Sequence, residues 1–580
     1  MKPWWERFPE RLEHELRMLE SAGYSFERDE EAFRAGYGAL RLTASVKGWG
    51  KIPLIIRFPY FYPYFQFQAF AHQLSLRLHQ NPFGKNLCLI GRDPERWYPE
   101  STVAEVLNEM LPKVLAADQT DDSDRARDLE QDQAEPFSEY YTYLPGSAVL
   151  WDGEWSLSPE IPGGSLKIGF HPNRHNENPL KIPANAAILS LSDSKGKVLI
   201  EADPRIRQLY SGEPLDGKWV RLEEPIQEAD QERFYSKLLE GRSVLKEFVE
   251  SCKRKNAPAV IGAVFPEEIA RRRSSDGWVF LHLKPQKGKK SRIRMIPFLM
   301  RPQRAGLQDM GSRLPFYSLL NRKTVALAGL GCLGAPSALE FARNGVGQLR
   351  LLDCDNVDVG TTVRWPFGLA EAGNNKIATI WRFIYFNYPY TQVLPFNIRL
   401  GEAYDQAPVK SDLDVMAEFL EGADLLFDAS ADLNVNHLLS DLARERRIPY
   451  VAISTTYGAW GGQIVRIRPG ETRGCWFCYR HSLLHGVIPY ANSDPRGNVQ
   501  PGGCGTPTYT GAGFDAQEIA LGGVRTAIST LTSGEENGYP VMKWDAAVVN
   551  LRNTEGDAIP PHWQIFPIEN HPSCHCQSEQ

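Results

Sequence analysis

Thr324-Val325-Ala326-Leu327-Ala328-Gly329-Leu330-Gly331-Cys332-Leu333-Gly334 decides the fold of the C-terminal part of this chain. The first five residues form a buried-strand run, the glycines a tight turn, and residues 335–344 can continue as a helix. In such a strand, turn and helix the glycines let the backbone approach phosphates at a helix N-terminus, whose free N–H groups and dipole attract anions. A second apolar strand over 349–352 ends on Asp353, a position from which a carboxylate can bind ribose hydroxyls. Apolar strands alternate with amphipathic helices to the chain end, as a parallel sheet requires. Residues 311–580 are therefore expected to form an α/β unit that holds a nucleotide at Gly329, Gly331, Gly334 and Asp353.

The residues beyond the turn argue against a dehydrogenase. Asp353-Cys354-Asp355 is succeeded by Arg364 and Lys376, two cations able to neutralise a triphosphate, which a nicotinamide site does not need. A third strand, Leu425-Leu426-Phe427-Asp428, runs into Ala429-Ser430-Ala431-Asp432 and offers a carboxylate for Mg²⁺. Both Asp428 and Asp432 are candidates by spacing. Together these groups describe ATP chemistry directed at the α-phosphate. The segment resembles the ThiF/MoeB and ubiquitin-activating adenylation family, of Rossmann-type fold, over about 260 residues. The resemblance implies ATP and Mg²⁺ as cofactors. It places Asp353 on the ribose, Asp355 in the nucleotide site, Arg364 and Lys376 on the phosphates, and Asp432 on magnesium. The family's Ser-Asn-Leu-x-Arg-Gln stretch reads Gly360-Thr361-Thr362-Val363-Arg364-Trp365 here, without its Asn. Family members dimerise and lend an arginine across the interface, so a homodimer is expected, with Arg304 as the counterpart.

Cys475-Trp476-Phe477-Cys478 and the terminal His571-Pro572-Ser573-Cys574-His575-Cys576 supply two close thiol pairs, and four thiolates could clasp zinc while stapling the chain end to the domain. The resemblance supports such a zinc, although its second pair is usually CxxC, so His571 or His575 is an alternative ligand. A redox dithiol at Cys475 and Cys478 is the other reading. Cys504 lies in the breaker-rich Gln500-Pro501-Gly502-Gly503-Cys504-Gly505-Thr506-Pro507, a loop that exposes a thiol and gives it reach toward an acyl-adenylate. Related activating enzymes carry a transfer cysteine in a comparable loop. Cys252, Cys332 and Cys354 read as packing residues.

The N-terminal segment has Leu12, Leu16 and Leu19 at helical spacing, then alternating Leu40, Leu42, Ala44 and Val46, and later a Thr102/Glu105 capping box opening another amphipathic helix. Residues 1–117 thus read as an α+β unit. Within it, Phe58-Pro59-Tyr60, His79-Gln80-Asn81, Leu87-Cys88-Leu89-Ile90 and Trp97-Tyr98-Pro99 occur in the order found in ubiquitin-conjugating enzymes, which the unit resembles. The resemblance makes Cys88 the thioester carrier, Asn81 the oxyanion donor and His79 the residue fixing the local turn. The residues alone would make Cys88 a buried core cysteine.

Residues 118–136 are acid-rich and aperiodic and read as a linker. Residues 137–310 form a middle α+β domain without a chemical motif, with a hairpin around Asp193-Ser194-Lys195-Gly196, one helix over 234–252, and basic runs such as Arg271-Arg272-Arg273 read as solvated surface. Across the 580 residues, 65 Lys+Arg stand against 71 Asp+Glu, a net charge of −6 that gives no reason to expect nucleic-acid binding. Mean hydropathy of −0.37 and the lack of a long apolar run argue against a membrane protein, and the absence of a signal segment with nine cysteines suits the cytoplasm. The whole resembles the fused activating and conjugating enzymes of bacterial anti-phage CBASS operons. That resemblance implies a relay from adenylate to Cys504 to Cys88 to an amine on a target. The substrate would be the C-terminal tail of a cGAS/DncV-like nucleotidyltransferase. A sulfur-carrier activator of the thiamine or molybdopterin kind, and a non-catalytic adaptor, are the competing readings.

Overall fold

The Thr102/Glu105 capping box is formed. Thr102 Oγ1 accepts the Glu105 N–H at 3.3 Å and the Glu105 carboxylate accepts the Thr102 N–H at 2.8 Å, which satisfies two donors that a helix start leaves unpaired. The computed structural model describes residues 2–91, 97–122, 124–125, 129, 134–171, 185–270, 272–288, 292–401, 410–500, 508–574 and 576. The chain divides into two units, Met1–Arg304 and Ala305–Gln580.

After a single helical turn at Trp4–Arg7, the first unit has α1 (Pro9–Ser21), then the antiparallel meander β1 (Ser25–Arg28), β2 (Ala39–Val46), β3 (Gly50–Arg57) and β4 (Gln68–Phe70), with a short helix at Glu30–Arg34 between its first two strands, closed by the capped α2 (Val103–Asp118). Leu40, Leu42 and Ala44 are buried while Arg41 and Ser45 are exposed, the period-two pattern of a strand with one face on a core. That core takes Leu12 and Leu19 from α1 and Val103, Leu107 and Leu111 from α2.

A second sheet follows in the same unit, built from β5 (Ala148–Trp151), β6 (Gly163–Phe170), β7 (Asn185–Asp193), β8 (Val198–Glu201), β9 (Leu215–Arg221), β10 (Ala259–Ala270), β11 (Arg273–Lys287), β12 (Ile293–Met300) and β13 (Pro302–Arg304). Its order is β12-β11-β10-β9-β6-β7-β5-β13, with β8 paired to β7. The hairpin read around residue 196 is present, with Gly196 at φ 86° in the turn. The single helix expected over 234–252 is instead two, α3 (Gln231–Leu239) and α4 (Ser243–Arg254), because the chain turns between them at Gly241, φ 71°. Arg272 corrects the reading of its basic run as solvated. Its side chain is 8% exposed, Nη2 donates to the Ala117 carbonyl at 2.7 Å, and its N–H donates to Glu268. A guanidinium is attracted to the carbonyl-rich end of a helix such as α2.

The second unit is built on one eight-stranded sheet. Its elements are β14 (Thr324–Ala328), α5 (Gly334–Arg343), β15 (Gln348–Asp353), α6 (Lys376–Asn387), β16 (Gln392–Asn397), α7 (Asp412–Leu420), β17 (Leu425–Asp428), α8 (Leu433–Glu445), β18 (Tyr450–Thr455), β19 (Gly461–Ile467), α9 (Trp476–Leu484), α10 (Gly513–Leu531), β22 (Ala546–Arg552) and β23 (Ala558–Phe566), with the two-residue ribbon β20 (Asn498–Val499) and β21 (Thr508–Tyr509) between α9 and α10. The order is β16-β15-β14-β17-β18-β19-β22-β23, parallel from β16 to β18 and antiparallel beyond. Along β14, Val325 and Leu327 join one core cluster while Ala326 and Ala328 join another. Both faces of the strand are therefore covered, which is why it reads as a continuous apolar run. The chain leaves β14 toward β15 on one side and β17 on the other, and such a switch point opens a crevice beyond the carboxyl ends of the strands.

Candidate nucleotide cleft and thiol sites

The crevice at that switch point is a cleft of about 1200 Å³ lined by residues that include Gly329, Asp353, Asp355, Asp432 and Tyr457. The glycine turn at its floor has two glycines that the fold itself demands. Gly329 sits at φ 84° with room for no Cβ beside Ser430, and a Cβ on Gly334 would lie 1.8 Å from the Gly329 carbonyl. A Cβ on Gly331 would meet nothing within 4 Å. The bare backbone there answers to no packing need and leaves the turn open to a ligand.

Asp353, 9% exposed, spends one lone pair of each carboxylate oxygen on the backbone. Oδ2 accepts the Leu330 N–H at 2.5 Å and Oδ1 the Asp355 N–H at 2.7 Å. Each oxygen keeps a second acceptor position. Lys376 opens α6 behind its N-cap Asn375 and is 8% exposed, with Nζ 2.9 Å from Asp355 Oδ2. Partial burial raises the Asp355 carboxyl, but the hydrogen bond and charge of Lys376 outweigh it and hold the group below its ordinary value. Arg364 packs on the ribbon, donating to the Tyr509 carbonyl at 2.5 Å and to Thr508 Oγ1 at 3.2 Å, and its guanidinium lies 4.5 Å from the Tyr509 ring centre.

The two acids Asp428, which ends β17, and Asp432 beyond it are separated by their surroundings. Asp428 is fully buried and accepts from Ser430 N–H and Oγ, Asn436 Nδ2 and the Tyr450 hydroxyl at 2.7–3.0 Å. Burial raises its carboxyl. Asp432 is exposed, caps α8 through the N–H groups of Asn434 and Val435, and lines the cleft. The carboxylate open to a cation is Asp432, and Asp428 shapes the loop that presents it.

Two cleft residues escaped the sequence reading. Arg399 stands just past β16 on the cleft wall. The strand-end rule that picked out Asp353 would have found it had β16 been recognised. Cys354, read as packing, is instead exposed in the cleft. It comes directly after the last residue of β15, where the backbone leaves the sheet. Partial burial, then the charges of Asp355 and Asp353, push its thiol up, which makes it a poor nucleophile. Cys332 is half-buried with Sγ 2.7 Å from the Tyr509 hydroxyl, and Cys252 is half-buried beside the α3/α4 core.

Cys475, the N-cap of α9, gathers with Cys478, Cys574 and Cys576 so that the four sulfurs lie within 4.8 Å of one another. Individual separations are 3.9 Å for 475–478 and 3.5 Å for both 475–574 and 478–576. A tetrahedral zinc with Zn–S near 2.3 Å needs sulfurs about 3.8 Å apart, so the set fits the ion. His571 N–H donates to Cys478 Sγ at 3.3 Å, and its ring stacks on His481 at 4.3 Å rather than joining the sulfurs. His575 lies outside the described residues. Burial, then the charge of Cys478 and the contacts of Cys574, push the Cys475 thiol up to about 11, a cost that a bound cation would reverse.

In the first unit Cys88 is half-buried and donates its N–H to the His79 carbonyl at 2.7 Å. Asn81 Oδ1 accepts the N–H groups of Phe83 and Gly84 at 2.9 and 2.7 Å, an Asx turn that shapes the loop before the cysteine. Arg304 ends β13 with its guanidinium 5.3 Å from the Trp151 ring centre, so it belongs to the middle sheet. Cys504 lies outside the described residues, in 501–507 between the paired strands β20 and β21. No described helix is long and apolar enough to cross a membrane.

Residues 302–529 match the ThiF family and residues 31–149 match Prokaryotic E2 family B. The uncharacterized protein y4oA of Sinorhizobium fredii is 30% identical over 596 residues, covering 100% of this chain and 98% of that protein. Ubiquitin-like modifier-activating enzyme 5 of Drosophila ananassae is 26% identical over 164 residues, 28% of this chain and 41% of its own length. The solved structure of E. coli MccB with ATP overlaps 45% of this chain and 68% of its own at 16% identity, TM-score 0.33. The chain belongs to the family of y4oA, and it joins a prokaryotic E2 family B domain to a ThiF/MoeB-like adenylation domain.

Proposed function

We propose that this chain activates the C-terminal carboxylate of a partner protein as an acyl-adenylate and passes it, through thioesters on Cys504 and then Cys88, to an amine on a target. One observation carries the reading. A cleft lined by Gly329, Asp353, exposed Asp432 and Asp355, whose carboxylate pairs with Lys376, stands in the same chain as an E2-family domain with a half-buried cysteine. ATP would lie over the glycine turn with its ribose at Asp353 and its phosphates toward Lys376 and Arg364. Mg²⁺, held at Asp432, would supply charge neutralisation for the departing pyrophosphate. The partner's carboxylate oxygen bonds to the α-phosphorus as pyrophosphate leaves; a thiolate then bonds to the acyl carbon as AMP leaves. Zinc in the four-sulfur set would hold the chain end on the domain. A homodimer sharing Arg304, a cytoplasmic setting, and a cGAS/DncV-like nucleotidyltransferase tail as the substrate in anti-phage defence complete the proposal, all on family resemblance.

Its test is a non-reducing gel with ATP, Mg²⁺ and such a nucleotidyltransferase, read before and after thiol treatment. Cys88→Ala should trap a thiol-labile adduct on Cys504, and Cys504→Ala should leave Cys88 unloaded while pyrophosphate exchange continues. Wild type should yield a thiol-resistant amide. Loading of Cys88 at the wild-type rate without Cys504 would end the relay. Unchanged product formation by Cys88→Ala would favour the sulfur-carrier reading.

A further inference from the structure

Glu135, which the sequence places in the acidic linker, folds back onto the cysteine of the first unit. Its Oε2 accepts the His79 backbone N–H at 2.6 Å and its Oε1 lies 2.9 Å from His79 Nδ1. The two side chains are 7% and 10% exposed. His79 holds φ 59°, a left-handed conformation that few non-glycine residues adopt and that tends to collect at functional sites. Gln80 bridges to Leu87, so His79 and Cys88 are the next cross-strand neighbours, tied by the Cys88 N–H to the His79 carbonyl. A His79 ring nitrogen, Cys88 Sγ and a Glu135 oxygen lie within 4.8 Å of one another.

The carboxylate is itself braced. The Tyr140 hydroxyl donates to Glu135 Oε2 at 3.3 Å, and the Glu135 N–H donates to Glu268, which also accepts the Arg272 N–H. Phe83, in the loop shaped by Asn81, stacks edge-on to Phe137 at 5.8 Å. Asp118 accepts the N–H groups of Arg77 and Leu78 on the approach to His79. Tyr140, Glu268, Arg272 and Asp118 are thus among the charged and titratable groups near the pair. Burial alone would raise the Glu135 carboxyl, but the hydrogen bonds and charge of His79 hold it below its usual value, so it stays an acceptor. An imidazole whose Nδ1 donates to a carboxylate keeps Nε2 basic.

We propose that Cys88, His79 and Glu135 form a nucleophile, base and acid triad, with His79 the catalytic residue that moves the proton at Cys88 and Glu135 the positioning residue that fixes its tautomer. The proposal rests on Cys88 being the acyl carrier. On loading, the Cys88 S–H proton passes to His79, the sulfur bonds to the carbonyl carbon of the incoming thioester, the donor C–S bond breaks, and the proton moves on to the leaving thiolate. On discharge, an amine nitrogen bonds to the same carbon, its proton passes by way of His79 to the Cys88 thiolate, and the Cys88 C–S bond breaks. A pair that only pinned the loop would do neither.

The experiment measures iodoacetamide alkylation of Cys88 in the full chain from pH 5 to 9 by peptide mass spectrometry. The variants are His79→Asn, which tolerates the left-handed backbone, Glu135→Gln and Glu135→Asp. The readout is the alkylation midpoint of each variant relative to wild type. His79→Asn should raise it by about one unit or more, Glu135→Gln by less, and Glu135→Asp should restore most of the shift. An equal midpoint in wild type and folded His79→Asn overturns the triad, as does an unmoved midpoint in Glu135→Gln should His79→Asn fail to fold. A second zinc per chain lost in Cys88→Ser would make this a metal site and also overturn it. The readout needs neither ATP nor a carrier. A shifted profile without any acyl-Cys88 would sink the relay and keep the triad, whereas loading with an unshifted profile would do the reverse.

Discussion

The Asp353 carboxylate, at the end of β15, holds the Leu330 N–H in the glycine turn after β14 at 2.5 Å. The acid that lines the cleft is thus also the clamp that sets the shape of the turn at the cleft's floor.

Asp353→Ala should therefore act twice. It removes an acceptor from two backbone donors, each bond to a charged group being worth about 1.5–3 kcal/mol, so the second unit should lose about 3 kcal/mol or more of stability. Nucleotide affinity should fall as well. Asp353→Asn, which keeps one acceptor oxygen, should lose less stability. Chemical denaturation combined with nucleotide titration checks both; full stability in Asp353→Ala would show that the clamp is idle.

The Asp355–Lys376 pair should leave a signature in acid. Because the folded carboxyl is held below its ordinary value near 3.9, its contribution is present above that pH and is lost as pH falls through the lower folded value. The gap in melting temperature between wild type and Lys376→Met should then be widest near pH 7 and close toward pH 3. The carboxylate is about half exposed, so the gap should be small and shrink with salt. Pyrophosphate exchange by Lys376→Met should fall at every pH. A gap independent of pH would mean that Lys376 stabilises by packing alone.

Local pattern carried much of this molecule. The strand, turn and helix at 324–343, the capping box at Thr102 and the alternation in β2 depend on neighbours a few residues apart, and each forms where its residues lie. What depends on chain return was not legible. Glu135 looks like one more acid in an acid-rich stretch until the fold brings it 2.9 Å from a histidine 56 residues earlier. Arg272 looks solvated until α2 offers it a carbonyl. Arg399 was missed because β16, Gln-Val-Leu-Pro-Phe-Asn, carries a proline that a strand reading rejects; as an edge strand it tolerates one.

The four-sulfur set makes a quantitative prediction. One zinc per chain should co-purify, and Cys475→Ser or Cys574→Ser should lower it to a fraction of an equivalent and depress the melting temperature. A strong chelator should do the same to wild type. Elemental analysis finding no zinc in folded, unchelated protein would leave a dithiol as the reading of Cys475 and Cys478.

The last prediction separates two acids four residues apart. Asp428 is fully buried and is the nearest acceptor for the buried Asn436 amide and Tyr450 hydroxyl as well as for half-buried Ser430, so Asp428→Ala takes the main partner from two buried donors and should cost about 3–5 kcal/mol. Asp428→Asn should fare little better, because its amide would point N–H groups at donors. Asp432 sits in the open cleft, and its fold-level duty is the cap of α8, so Asp432→Ala should cost about 1 kcal/mol. Asp432→Ser restores the cap without restoring a carboxylate. If Asp432 holds magnesium, Asp432→Ser should be as stable as wild type and still lack pyrophosphate exchange, with added Mg²⁺ giving little recovery. Should Asp432→Ser exchange at the wild-type rate, the cation must be held elsewhere in the cleft, and Asp432 would be a helix cap and nothing more.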